Sequence, residues 1–382
     1  MRQGSARGGR AVLVGIDFGQ DGFSESLDEL KLLAVSAGFV PCAIVIGKRG
    51  RPDPALYAGS GKVKEVRLVL QQQAASVVIF NHELSPVQER NLEQGLQANV
   101  RDRTSLILGI FGQRARSHVG KLQVELAQLE YASTRLVRGW THLERQRGGR
   151  GFLGGMGETQ LEVDRRLIAR RVKVIKEKLL KLRRQLGTQR RSRDRAGVLS
   201  VSLVGYTNAG KSTLFNQLTN SGAYVADQLF ATLDTTSRHF PLEGVGQAVL
   251  SDTVGFIREL PYTLVEAFRT TLQEAAHADL LLHVVDSSSS RRGEHVSEVN
   301  KVLDEIGASG VRQILVWNKI DSAGSGSTAV PRVELGECGK ILRVHLSAKT
   351  GAGVDLLRFA LSDTAVSGTA PMTPGAIQKF TT

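Results

Sequence analysis

Residues 205–212 read Gly205-Tyr206-Thr207-Asn208-Ala209-Gly210-Lys211-Ser212, with Thr213 following, and fit the pattern G-x-x-x-x-G-K-[ST]. The run follows an apolar stretch of strand character and opens a helical one, the setting that a phosphate-binding loop requires. Its glycines let successive backbone N–H groups turn inward around an anion, and the start of a helix adds partial positive charge. Lys211 is expected to reach the β- and γ-phosphates of a nucleotide, and the Ser212 hydroxyl to ligate Mg²⁺.

Further motifs follow in the order that phosphoryl transfer needs. Leu250-Ser251-Asp252-Thr253-Val254-Gly255 is an apolar strand ending in D-x-x-G. Asp252 is expected to hold Mg²⁺ through a water, and the Gly255 N–H to touch the γ-phosphate. Between the two motifs, Phe230-Ala231-Thr232-Leu233-Asp234-Thr235-Thr236 reads as a first switch, where a threonine completes the Mg²⁺ shell once the γ-phosphate is present. Spacing alone does not choose among the threonines.

Base identity is written in Asn318-Lys319-Ile320-Asp321, an N-K-x-D after an apolar strand. The Asp321 carboxylate can accept from both N1–H and the exocyclic amine of guanine. Adenine offers no such pair of donors, so GTP is favoured over ATP. Ser347-Ala348-Lys349, again after a strand, supplies a loop against guanine O6. Position 256 is Phe, where many GTPases place a water-orienting Gln. Phe256 cannot hydrogen-bond the attacking water. Unaided hydrolysis is therefore expected to be slow, with Lys211 and Mg²⁺ neutralising charge and a bound partner assembling the missing orienting group.

The elements that must position these residues fall into zones. Residues 199–204, 248–251, 280–285, 313–317 and 341–346 read as strands separated by helical patterns, placing the motifs at strand ends of an α/β domain over 198–361. Residues 1–113 read as a smaller α/β domain, with strands at 11–16, 40–46 and 76–80 and helices at 26–38, 62–73 and 85–97. No second phosphate-loop pattern occurs in residues 1–197. The polar tail 362–382 is expected to be disordered.

Residues 114–197 differ. Leu122, Leu126, Leu129, Ser133, Leu136 and Trp140 form one heptad seam, and Ile168, Val172, Ile175, Leu179, Leu182 and Leu186 a second. Each stripe needs a partner, and an antiparallel coiled-coil hairpin is the economical solution. Between them, six of the ten residues from Gly148 to Gly157 are glycine, beside Arg145, Arg147 and Arg150. From Arg165 to Arg195 there are 14 Lys/Arg against two acids, Glu177 and Asp194, nearly the whole formal charge of +13. The acids that normally neutralise such a face are missing, which points to a polyanion. Arg183, Arg184, Arg190 and Arg191, with the three arginines of the Gly-rich tip, are candidate RNA contacts.

Composition bounds the rest. At 382 residues and 41% hydrophobic, the chain is long and apolar enough for two or three folded domains. Aromatics at 5% are too few for a protein that binds single strands by base stacking. Cys42 and Cys338 lie in segments of different character, so no disulfide is expected, which fits a reducing, cytoplasmic setting. No 18-residue apolar run is present.

The motif set resembles a translation-factor-class GTPase, and most of all the HflX family. The resemblance extends to Pro54-Ala-Leu-Tyr57-Ala-Gly59-Ser-Gly61-Lys62, Arg101-Asp102-Arg103-Thr104, the run Lys121–Leu129 and Gly155-Met-Gly157-Glu158-Thr159-Gln160, covering roughly residues 11–361. It implies an N-terminal α/β domain, a helical hairpin and a G domain. It further implies binding to the 50S ribosomal subunit and its RNA, nucleotide-dependent splitting of stalled 70S ribosomes, and hydrolysis stimulated by the ribosome. By motif, Ser212 and Thr232 become the Mg²⁺ ligands. Two features depart from the family: Thr235 stands where Pro is usual, which loosens the first switch, and the C-terminal extension is short. A monomer is expected. Two other uses are open at this point: a GTPase of ribosome assembly or another RNA particle, and a switch peripheral to anionic membranes.

Overall fold

The structure is a computed structural model that describes residues 9–19, 22–138, 160–195, 198–221, 229–258, 262–322, 330–336 and 339–366. The chain divides into two compact units, Met1–Leu180 and Lys181–Thr382.

The first unit opens with β1 (Arg10–Asp17), α1 (Phe23–Ser36), β2 (Val40–Lys48), α2 (Ser60–Gln72), β3 (Val77–Phe80), α3 (Pro86–Leu96), β4 (Asn99–Arg101) and α4 (Arg103–Arg114). The strands pair in parallel in the order β2-β1-β3-β4. Val12, Val14 and Ile16 of β1 and Val78 and Phe80 of β3 build the core against Val63, Val66 and Leu70 of α2 and Leu92 of α3. Helix α1 starts at Phe23, ahead of the start near Ser26 or Asp28 expected from sequence, on a left-handed Gly22 at φ 83°. Helix α3 is capped by Ser85, whose Oγ accepts from Gln88 N while Gln88 Oε1 accepts from Ser85 N.

The Arg101–Thr104 run has a structural use. Asp102 is fully buried and caps α4. Its carboxylate accepts from Ser105 N at 2.8 Å and from the hydroxyl of Tyr131 at 2.8 Å, and is paired with Arg135 at 2.7 Å. Arg103, also buried, donates to Asn81 and Glu29 at 3.0 Å each.

Tyr131 and Arg135 belong to α5 (His118–Arg138), which is followed by α6 (Gln160–Arg195). On α5 the expected seam residues Leu122 and Leu126 are buried, but so are Gln123, Val124 and Ala127. The reason is that α5 packs on α3 and α4 as well, so more than one stripe is covered. On α6 the seam is narrow: Ile175 and Leu179 are buried, and Ile168, Val172 and Leu182 half-buried. Ion pairs Arg171–Glu125 and Lys176–Glu130 link the two helices. Trp140, Arg145, Arg147, Arg150 and the Gly148–Gly157 run lie outside the described residues, as do the side chains of Leu186, Arg190 and Arg191.

The second unit contains β5 (Leu199–Gly205), α7 (Lys211–Thr219), β6 (Thr236–Leu242), β7 (Gly246–Asp252), α8 (Tyr262–Ala276), β8 (Leu280–Asp286), α9 (Arg292–Glu305), β9 (Gln313–Asn318), β10 (Arg332–Leu335), β11 (Ile341–His345) and α10 (Val354–Val366). Its sheet runs β10-β11-β9-β8-β5-β7-β6. The five inner strands are parallel, and β6 and β10 close the edges antiparallel. Inner strands buried on both faces read as unbroken apolar runs, which is why sequence found them. Helix α10 runs past the expected tail start at 362 because Leu357, Ala360, Leu361 and Thr364 keep its buried face going.

Candidate nucleotide site

Strands β5, β7, β9 and β11 all deliver their carboxyl ends to one edge of the sheet, the side where open α/β sheets bind ligands. The loop after β5 turns sharply. Gly205 has φ 148°, and a Cβ there would stand 2.2 Å from Val284 O, so backbone passes where a side chain cannot. Asn208 and Gly210 take the left-handed region at φ 59° and 93°. Helix α7 then begins at Lys211.

Lys211 is buried, and its ammonium donates to Gly205 O at 3.0 Å and Tyr206 O at 2.8 Å. Burial lowers its pKa to about 8, against the pull of Asp252. Gly255 lies beside it: a Cβ on that residue would be 2.9 Å from Lys211 Nζ and 2.8 Å from Thr207 Cγ2.

Three side chains from three motifs converge. Ser212 Oγ donates to Asp252 Oδ2 at 2.7 Å, Thr232 Oγ1 donates to the same oxygen at 3.0 Å, and the two hydroxyls are 2.7 Å apart. Among the first-switch threonines, then, Thr232 is the one brought to this point. Asp252 Oδ1 is buried and has no hydrogen-bond partner among the described residues. Burial raises the pKa of this carboxyl, opposed first by the Ser212 hydrogen bond. Two hydroxyls and a carboxylate with a spare buried oxygen are hard oxygen donors, the set that suits Mg²⁺.

The base-reading motifs meet on Asn318. Its Nδ2 donates to Ala209 O at 2.8 Å and its Oδ1 accepts from Ala348 N at 2.8 Å, so one side chain joins the phosphate loop to the Ser347–Lys349 loop. Lys319, at φ 65°, pairs with Asp286 at 2.8 Å. Asp321 is held ionised, its pKa lowered chiefly by a hydrogen bond from Ser347, and is ready to accept from paired donors.

These residues surround a cleft of about 580 Å³ lined by Thr207, Asn208, Gly210–Thr213, Phe230–Thr232, Thr253, Gly255, Asn318, Lys319, Asp321, Ser322, Ala348 and Lys349. Several predicted site residues stand behind this wall instead. Ala209, Leu233, Val254 and Ile320 are buried core, and Ser347 is buried under Asp321. Gly205, Tyr206, Asp234 and Asp252 do not face the cleft. Phe256 is 1% exposed: its ring is core, while its N–H donates to Gly205 O and its O accepts from Thr207 N. Sequence reading missed Ser322, a cleft residue without a motif, and Asp286, which the strand end before α9 could have suggested.

Similarity to known proteins agrees with this geometry. Residues 24–112, 114–193 and 200–319 match family models described as GTP-binding GTPase N-terminal, GTP-binding GTPase Middle Region and 50S ribosome-binding GTPase. The chain is 53% identical to GTPase HflX of Escherichia coli (strain K12) over 356 residues, 93% of this chain and 83% of that one. It is 47% identical to GTPase HflX of Magnetococcus marinus over 338 residues, 88% of this chain and 77% of that one. A crystal structure of SsGBP in complex with GDP shares the fold, at 24% identity and TM-score 0.52, covering 94% of this chain and 100% of that one. With family models matched along residues 24–319 and relatives matched over most of their length, the chain belongs to the HflX family and is a GTPase.

Proposed function

We propose that this GTPase binds the 50S subunit and uses its nucleotide state to dissociate stalled or idle 70S ribosomes. The observation that carries the proposal is the basic face of α6, where Arg165, Arg166, Arg170, Lys173, Lys178, Lys181 and Arg184 are exposed and Arg183 half-exposed, in the same chain as a nucleotide cleft. Such a face suits ribosomal RNA phosphates. The match of residues 200–319 to 50S ribosome-binding GTPases supports the ribosome as partner. In this reading the segment 114–197 is the RNA-contacting arm, with Arg183, Arg184, Arg190 and Arg191 on the helix and Arg145, Arg147 and Arg150 at the tip. The G domain 198–361 is its switch.

The catalytic proposal follows from the cleft. Lys211 leaves its carbonyl partners to face the β- and γ-phosphates, and the Gly255 N–H meets the γ-phosphate. Asp321 holds guanine, with the Ala348 and Lys349 loop beside O6. Ser212 and Thr232 would hold Mg²⁺, with Asp252 behind them, and the bound ion would supply neutralisation of the charge that develops in phosphoryl transfer. Water attacks in line, and because the Phe256 ring is buried away from the cleft, the orienting group comes from the ribosome or from a switch it rearranges. The γ-phosphate orders the switches and its loss releases the protein.

Sucrose-gradient profiling of 70S ribosomes tests this. With GTP or a non-hydrolysable analogue the 70S peak is expected to fall as 50S and 30S rise, with protein on 50S; with GDP the profile stays as it began. A 70S peak unmoved by any nucleotide would refute splitting. Protein sedimenting only with precursor particles would favour a role in assembly.

A further inference from the structure

The second residue of the phosphate loop does something no motif assigns to it. The Tyr206 side chain does not line the nucleotide cleft. Its ring lies flat on His295 of α9, with centroids 4.0 Å apart and planes 14° from parallel. Its hydroxyl accepts a hydrogen bond from the backbone N–H of Arg258 at 2.8 Å. Arg258 is three residues beyond Gly255, the residue proposed to meet the γ-phosphate. The same segment is also fixed one step earlier, where Phe256 exchanges backbone hydrogen bonds with Gly205 and Thr207 on either side of Tyr206. The stretch 255–258 is therefore laced to the phosphate loop by backbone at Phe256 and by the Tyr206 phenol at Arg258.

We infer that Tyr206 is a positioning residue for the second switch: its hydroxyl, braced by His295, holds residues 255–258 so that Gly255 already faces the phosphate end of the cleft before nucleotide binds. The position of Gly255 beside the Lys211 ammonium is the placement this would secure. A segment ordered in advance does not have to be ordered by the ligand, so the tether favours the nucleotide that contacts the segment. Only the γ-phosphate makes that contact. GTP gains from the tether and GDP does not. The inference rests on the proposed contact between Gly255 and the γ-phosphate.

The test is the ratio of affinities for a non-hydrolysable GTP analogue and GDP, measured on the full chain by calorimetry. Tyr206→Phe keeps the ring on His295 and deletes the acceptor. Losing one hydrogen bond of ordinary strength is expected to lower the ratio roughly three- to tenfold. His295→Ala keeps the hydroxyl and removes its brace, and is expected to lower the ratio by a smaller factor. A purely structural role would weaken both nucleotides together and leave the ratio fixed, which would overturn the inference. A ratio that rises in Tyr206→Phe would overturn it too, since the tether would then hold the switch away from the phosphate. A wild-type chain that binds both nucleotides equally would instead remove the γ-phosphate contact, and the inference with it.

Discussion

Gly210 and Asn318 fill one another's space: a Cβ on Gly210 would stand 2.2 Å from Asn318 Nδ2. The phosphate loop and the base-reading loop are thus packed in direct contact, and the Nδ2 that forbids the Cβ also donates to Ala209 O. Gly210→Ala would meet both this clash and a left-handed φ of 93°. Nucleotide binding is expected to be lost. Asn318→Ala should instead leave the Ala209 carbonyl and the Ala348 N–H unpaired, each at about 1–3 kcal/mol. Affinity for GTP and GDP should fall together by at least tenfold, read by fluorescent-nucleotide titration. Unchanged affinity in Asn318→Ala would contradict the joint.

The buried Asp102 network makes a prediction about stability. Removing one partner of a buried charge network strands the others, typically at about 3–5 kcal/mol. Asp102→Ala should lose stability of that order in urea denaturation followed by circular dichroism, because the Tyr131 hydroxyl and Leu84 N lose their acceptor and Arg135 loses one of its two carboxylate partners, keeping Glu89. Tyr131→Phe should lose only about 1 kcal/mol. Similar losses in the two variants would contradict Asp102 as the hub.

How much of this was legible in the sequence depends on how local each signal is. The phosphate loop, D-x-x-G, N-K-x-D and S-A-K are contiguous runs, and each sits at a strand end as its spacing demands. Helices α1, α2 and α3 carried one apolar face each and could be read. Helix α4, Arg103–Arg114, was not, because Leu106, Ile107, Leu108, Ile110 and Phe111 are all buried and leave no polar stripe to set a period. The edge strands β6 and β10 were missed for the opposite reason. β6 carries Arg238, His239 and Pro241 outward, and β10 is four residues long. Contacts between distant residues, such as Tyr206 with His295 or Asn318 with Ala209, leave no mark on sequence spacing.

His283 on β8 predicts a pH dependence. It is 1% exposed, and burial lowers its pKa to about 4, opposed by a hydrogen bond with Gln313. The unfolded chain takes up a proton near the ordinary value of 6.5, whereas the folded one does so only near 4. Stability is therefore fully present above 6.5 and is lost as pH falls towards 4, by roughly 3 kcal/mol at 1.36 kcal/mol per pKa unit. Denaturation midpoints across this window should show that slope, and His283→Gln should flatten it. An equal slope in the variant would assign the effect elsewhere.

The basic face of α6 predicts a salt dependence. Binding to 50S particles should weaken steeply with salt, as phosphate contact requires. Reversing Arg183, Arg184, Arg190 and Arg191 to Glu should lower affinity at least roughly tenfold and reduce the slope of log affinity against log salt by about 3. GTP turnover of the free protein should be unaffected. Ribosome affinity that survives the reversal would contradict RNA contact by this face.

The cleft is lined by the groups proposed to hold guanine and the phosphates, but the Phe256 ring is buried in the core and cannot orient water. Steady-state GTP turnover with and without purified 50S particles tests that relationship most directly. The account predicts a low rate alone and a rise of at least tenfold with 50S, at saturating GTP and low salt. A rate that is the same in both, or that is already fast in the free protein, would contradict it.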